Sequence, residues 1–447
     1  MGLGRRISTR CSSTDAIRKK NAVYYFYPSL AFWECSGHCA RVWAMMRIMR
    51  LAFVLVFLAL SLTVAACRPR SSQPEARIAS AVPALANQQG NDQSAHLLTD
   101  QIIAPRQQPI RFKLVRDWQA NAIARPGNVV CTLDQPRTRL TQPAVRIHVL
   151  DGSRTVIVLD TTGARVGRHA LKIPPDAAIE FLRTTVDPQG QRWWLGGAKG
   201  ERRLFLFNAD WDLHTTVVPL ESAALSTILA VQLLDGNGDE APTIIVAYAA
   251  AGGVRGLNGD GQLLWENLSL QAVRGLVLAA PQADGKRGIL CADGQGRLLS
   301  VSPAGEVETV AIGLRDMQSL FSGPVAANGA WTLLGLTGNA VGRNAAMGID
   351  PSGEWLWDID LPNGMHRSRS IEPVAWADLL GTPRWQWLIA GPDGSVTVAW
   401  GDGRVVDCYH HGSDLTGIGG YHSDGGHIVV ATRESVESFR LDDIALD

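Results

Sequence analysis

Residues 235–265 read DGNGDEAPTIIVAYAAAGGVRGLNGDGQLLW. Two patterns share this stretch. The first is a polar turn, Asp235-Gly-Asn-Gly-Asp-Glu-Ala-Pro242, leading into the apolar run Thr243-Ile-Ile-Val-Ala247. The second is a tight turn, Asn258-Gly-Asp-Gly261, leading into Leu263-Leu-Trp265. Asx side chains bond turn backbone, and a closing glycine takes φ > 0, so both turns join short strands.

Working outward, both patterns recur. The first returns at Asp187-Pro-Gln-Gly before Trp193-Trp194-Leu195, and at Asp284-Gly-Lys-Arg before Gly288-Ile-Leu-Cys-Ala292. It returns again at Asn328-Gly-Ala before Trp331, at Asp378-Leu-Leu-Gly before Trp385, and at Ser423-Asp-Gly-Gly before His427. The second returns at Asp160–Gly163, Asn208–Trp211, Ser302–Gly305, Asp350–Gly353 and Trp400–Gly403. The hairpin turns are 44 to 50 residues apart. Four short strands per repeat of that length make a β-propeller blade.

The expected fold is therefore all-β, a propeller with seven four-stranded blades near 127–173, 180–220, 226–271, 272–312, 313–361, 370–408 and 413–441. Six or eight blades stay open, because the first repeat is the least clear. The last repeat has only three strands. Pro109–Trp118 alternates Ile110, Phe112, Leu114 against Arg111, Lys113 and can supply the fourth, which would close the ring and cover its edges.

Gly261-Gln-Leu-Leu-Trp265 and Gly353-Glu-Trp-Leu-Trp357, each after a turn, resemble the quinoprotein-type (PQQ-like) repeat. That repeat occurs in the outer-membrane assembly lipoprotein and in quinone-dependent dehydrogenases. Asp235–Pro242 with its apolar run resembles the FG-GAP/VCBS repeat of integrin-like propellers. These resemblances span about residues 127–441 and imply fold more than function.

Ahead of the repeats lies Leu51–Ala66, LAFVLVFLALSLTVAA. It is sixteen residues long, short of the roughly 20 that span a bilayer. Arg47 and Arg50 precede it and Val64-Ala-Ala-Cys67 ends it, the layout of a signal peptide. The last four residues resemble a bacterial lipobox, which implies cleavage before Cys67 and a lipid on its sulfur. Residues 45–66 are then the signal peptide. Residues 1–44 are expected to be a mis-assigned extension, since Met45, Met46 and Met49 sit where such a signal starts. Residues 67–108, rich in Ser, Gln, Asn and Ala, read as a flexible stem, and 109–447 as the propeller. Arg68 stands where resembling inner-membrane lipoproteins carry Asp, so the expected location is extracytoplasmic, on the outer membrane if the cell has two.

Asp235, Asn237 and Asp239 offer oxygens at positions 1, 3 and 5 of a Gly-containing loop, a Ca²⁺ pattern. Position 9, a carboxylate in the resembling repeat, is Thr243, which weakens the reading toward a plain turn. Cys408, His410, His411, His422, Asp424 and His427 crowd one region, but their spacing fits no structural zinc site. Trp193, Trp265, Trp331, Trp357 and Trp385 recur at matching positions and are read as packing between blades, with a few on a rim able to anchor a partner.

The chain has 447 residues, with Lys+Arg and Asp+Glu equal at 42 each, so no basic field suggests nucleic acid. Its seven cysteines form no CxxC pair. No G-x-S-x-G, HExxH or GxxxxGK[ST] motif is present, and no catalytic residue is assigned. The expected function is a non-enzymatic binding or scaffold module for a protein or cell-envelope ligand, with no cofactor beyond Ca²⁺. The alternative is a quinone-dependent dehydrogenase, against which stand the missing Cys-Cys pair and eighth blade. A hydrolytic propeller has less support, since no paired carboxylates stand out.

Overall fold

The computed structural model describes residues 113–442, apart from 135–143, 219–226, 236–240, 250–251, 271, 283–286, 315–316, 327, 339–343, 369–370 and 383. The leader, Cys67, the stem, Asn237 and Asp239 lie outside the described residues.

Strand β1 (Lys113–Ala120) opens the described chain. Blade 1 is β2 (Pro126–Asp134), β3 (Ala144–Asp151), β4 (Thr155–Leu159) and β5 (Arg165–Ala170). Blade 2 is β6 (Phe181–Val186), β7 (Arg192–Gly197), β8 (Leu204–Phe207) and β9 (Leu213–Val217). Blade 3 is β10 (Ile228–Leu234), β11 (Thr243–Tyr248), β12 (Val254–Leu257) and β13 (Leu263–Asn267). Blade 4 is β14 (Gly275–Leu278), β15 (Ile289–Ala292), β16 (Arg297–Val301) and β17 (Val307–Ile312). Blade 5 is β18 (Met317–Gly323), β19 (Thr332–Gly338), β20 (Asn344–Ile349) and β21 (Trp355–Leu361). Blade 6 is β22 (Val374–Ala377), β23 (Gln386–Ala390), β24 (Ser395–Trp400) and β25 (Val405–His410). Blade 7 takes β26 (Leu415–His422), β27 (Gly426–Thr432) and β28 (Val436–Asp442), and its fourth strand is β1.

The fold is a seven-bladed β-propeller of four-stranded antiparallel blades. The first strands of the blades contact one another around a central channel. β1 runs antiparallel to β28, with Lys113 opposite Asp442 and Ala120 opposite Val436. A register shift between Arg116 and Trp118 breaks the simple alternation. The two ends of the described chain thus share one sheet, which leaves no blade a strand short.

The core is divided. Seven apolar clusters form, one in each wedge between neighbouring blades. Strands covered on both sides are apolar throughout: β11 is buried from Ile244 to Tyr248, and all of β27 is buried. Outer strands keep one side wet, so β21 alternates exposed with half-buried residues after Leu356. Burying apolar area is worth roughly 25 cal/mol per Å², and here that term fastens blade to blade.

The hairpin turns follow the sequence chemistry. Asp160 accepts from the Thr162 and Ala164 amides, and Asn258 does the same for Asp260 and Gln262. Gly163, Gly261, Gly305, Gly353 and Gly403 all take left-handed φ. In blade 2 the equivalent residue is Trp211, at φ 66°. Its ring stacks on Trp194 at 4.4 Å, which offsets the backbone cost.

The tryptophans join neighbouring blades. Trp118, Trp265 and Trp357 lie over Gly163, Gly305 and Gly403 of the next blade. Each donates its indole N–H into that same turn: to Thr161, Pro303 and Gly401 carbonyls at 2.8, 2.9 and 2.7 Å. Trp193 is buried and donates to Asp187. Trp385, half-buried like Trp118, Trp265 and Trp357, packs against the apolar cluster between blades 5 and 6, and Trp331, also half-buried, meets Trp376 edge-on.

Candidate functional site at the channel mouth

Antiparallel order gives every blade two ends. The turns between first and second strands and between third and fourth strands lie on one face, here the lower. The connections between blades and the turns between second and third strands lie on the upper face.

Asp235 directly follows β10, on the lower face, and is exposed. Its carboxylate accepts a hydrogen bond from the Thr185 hydroxyl of blade 2. Its expected companions Asn237 and Asp239 lie outside the described residues. Among the described residues no group of three His, Cys, Asp or Glu side chains is placed to hold a metal ion.

The histidine-rich region is scattered by the fold. His410 faces Asp393 at 3.6 Å, and His411 faces Glu437 at 3.6 Å. His427 is buried against Tyr421, rings parallel at 4.7 Å, between Asp424 at 3.2 Å and Asp117 at 3.6 Å. The Ser423 hydroxyl and His427 hold the Asp424 carboxyl down at about 2. Cys408 is an exposed free thiol, bonded by the Thr397 hydroxyl.

The polar site that the fold does assemble is at the upper mouth of the channel. Arg183, on first strand β6 of blade 2, donates to Glu372, just ahead of first strand β22 of blade 6, at 2.9 Å. Blades 2 and 6 are not neighbours, so this ion pair spans the channel. The side chains are 30% and 13% exposed, so the pair is only partly screened by water. Burial alone would raise the Glu372 carboxyl; Arg183 and Lys199 outweigh it and hold the group below its ordinary value. The carboxylate is therefore anionic at neutral pH.

Ile371 and Pro373, the residues flanking Glu372, line a cavity of about 530 Å³ together with Lys199, Gly200, His366 and Ser368. Lys199 and Gly200 come from the upper turn of blade 2, where Gly200 takes φ +83° in open space. His366 and Ser368 come from the connection between blades 5 and 6. Burial lowers the His366 imidazole, against a hydrogen bond that its ring donates to the Ala390 backbone and the charge of Asp393. The cavity therefore offers one ammonium, one neutral imidazole, one hydroxyl and an apolar wall. None of these residues was singled out from the sequence. Each is an ordinary loop residue until the ring brings opposite blades together.

No family model matches the sequence, and no curated protein matches it. Solved structures do. Raptor from Chaetomium thermophilum superposes with a TM-score of 0.54 at 16% identity, over 76% of this chain and 30% of that one. BBS1N, in its complex with ARL6DN, gives 0.52 at 13% identity, over 75% of this chain and 99% of that one. BamB from Moraxella catarrhalis gives 0.42 at 14% identity, over 74% and 100%. At these identities the shared feature is the propeller fold, and the last match adds nothing to the first two.

Proposed function

We propose that this protein is a non-enzymatic binding module: an extracytoplasmic propeller, lipid-anchored through Cys67, that receives its ligand at the upper channel mouth. The observation that carries the reading is the Arg183–Glu372 pair bridging non-adjacent blades beside an open cavity. Such a pair stiffens the mouth and presents fixed charge, as a preformed binding site requires. It supplies no proton donor near neutrality, because Glu372 is held ionised.

A quinone cofactor fits this mouth poorly. A planar quinone bearing several carboxylates needs a stacking ring and several cations. Among the described residues, the cavity lining holds no Trp, Tyr or Phe, and one lysine.

The reading is tested with a photo-crosslinking residue at position 199 in the full chain on intact cells. A discrete adduct that Arg183→Glu abolishes supports it; identical adducts with and without that change overturn it. In parallel, the purified protein is mixed with quinone and Ca²⁺. A visible quinone band with dye reduction would make the protein an enzyme instead.

A further inference from the structure

The chain carries 42 basic and 42 acidic side chains, yet the flank of the ring does not mix them evenly. The blades follow in sequence order around the channel, so blade 1 stands opposite blades 4 and 5. The outermost strand of blade 1, β5, reads Arg165-Val-Gly-Arg-His-Ala170 and holds no Asp or Glu. Lys113 opens β1, the outermost strand of the neighbouring blade 7. Burial lowers the His169 imidazole, which is therefore neutral at pH 7. On the opposite flank β17 carries Glu308, and β21 carries Asp358 and Asp360. Glu306 and Glu354 stand just ahead of these two strands, and neither strand holds a Lys or Arg.

The charges on both flanks are exposed. Lys113, Arg165 and Arg168 form no ion pair among the described residues, nor do Glu306, Glu308, Glu354 and Asp358. Groups of the other sign at the borders are engaged. Asp160 caps its own turn, and Asp117 faces His427 at 3.6 Å. Arg297 pairs with Asp293 at 2.7 Å, and Arg404 with Asp402 at 2.8 Å. Apolar side chains are exposed among the charges: Val166 at 51% on one flank, Trp355 at 60% and Leu356 at 47% on the other. β5, β17 and β21 each end their sheet, so each keeps a row of unpaired backbone groups. Like charge on such edges keeps copies of a protein apart. Here the two flanks are opposite in sign, so they attract. A molecule whose opposite sides attract joins head to tail, and each contact leaves one flank free at either end.

We propose that this protein associates with itself side by side. The basic flank of blades 7 and 1 on one copy seats against the acidic flank of blades 4 and 5 on the next. Exposed ion pairs are individually weak and salt screens them, so the assembly forms at high protein concentration and low ionic strength. The contact uses neither the channel mouth nor the lipid anchor, so it does not depend on the function read above.

Sedimentation velocity of the full chain purified in detergent tests this at about 20 mM and about 500 mM salt. Low salt should show species larger than a dimer, growing with protein concentration, and high salt should return the monomer. Arg165→Glu with Arg168→Glu should weaken self-association at least about tenfold, and so should Glu308→Arg with Asp358→Arg. Mixing the two double variants should restore it, because one then presents acidic flanks and the other basic flanks. All four residues are on the surface, and unchanged melting will show that the variants fold. A monomer at low salt overturns the proposal. So does association that ignores salt or either double variant, or a mixture no more associated than its parts. A dimer that grows no further also overturns it, since two flanks on opposite sides cannot both be used in a closed pair. Crosslinking at position 199 reads the channel mouth alone, so failure here is distinguishable from failure there.

Discussion

The indole N–H of Trp118, on β1, donates to the Thr161 carbonyl of blade 1 at 2.8 Å. β1 belongs to blade 7, so this one side chain fastens the closing strand to the blade beyond it. Tyr421 of blade 7 points its hydroxyl at the same carbonyl, at 3.3 Å. Arg116 adds an ion pair to Glu437 at 3.6 Å.

Ring closure should therefore depend on β1. Deleting residues 68–105 should leave stability nearly unchanged, whereas extending the deletion to 118 should expose the β28 edge and cause aggregation. Trp118→Ala alone should cost about 3 kcal/mol. Denaturant melts and limited proteolysis of the three variants check this. Equal protection of both truncations would contradict it.

The channel pair carries a pH signature. The Glu372 carboxyl is lowered in the folded state, so it binds its proton less readily there than in the unfolded chain. Its stabilisation is complete well above the ordinary value of 4.5 and fades as pH falls through and below it. Glu372→Gln should thus destabilise at pH 7, by about 1–3 kcal/mol for a partly buried pair, and the gap should narrow in acid. Melting curves from pH 7 to pH 3 check this, and a gap independent of pH would refute it.

Gly403 and Gly190 separate two costs. Both take left-handed φ, +82° and +81°. An added Cβ meets nothing within 4 Å at Gly190, but comes within 2.4 Å of the Trp357 ring at Gly403. Gly190→Ala should cost only the backbone strain, about 1–2 kcal/mol. Gly403→Ala should cost clearly more, because Trp357 must leave its seat. Chemical denaturation of the two variants reads the difference directly.

The Asp235 loop makes a calcium prediction. If the ion binds only the folded state, chelator should lower the melting temperature, and Asp235→Ala should abolish that effect. Losing the bond from Thr185 will cost about 1 kcal/mol either way, so the chelator difference is the informative quantity. Identical melting with and without chelator leaves the loop as a plain turn.

Cys67→Ser should release the protein from membranes or block its processing, since one lipidated residue is the whole attachment proposed. Fractionation with intact mass measurement decides it. A variant that stays on membranes at the normal processed mass removes the anchor from the model.

The blades were legible in the sequence because turn chemistry is local. Asp160, Asn258 and Asp350 bond amides two to four residues on, and the glycines after them need left-handed φ whatever surrounds them. The closing strand was legible for a similar reason: a three-stranded last repeat implies a missing partner, and Pro109–Trp118 stood ready at the other end; its part from Lys113 on pairs with β28, while residues 109–112, which carry Ile110 and Phe112 of the expected alternation, lie outside the described residues. The histidines between residues 410 and 427 show the limit of proximity along the chain. Strand geometry sends His410, His411 and His427 each to its own carboxylate and lays His422 against Gly381. The channel mouth shows the converse. Arg183 and Glu372 are 189 residues apart, and nothing local marks either one. They meet because seven wedges of apolar contact set the ring's diameter, and only that closed diameter brings blade 2 within reach of blade 6. The exposed face of Trp376 was likewise decided by its neighbours, since an indole on a strand becomes core or surface according to what the next blade places over it.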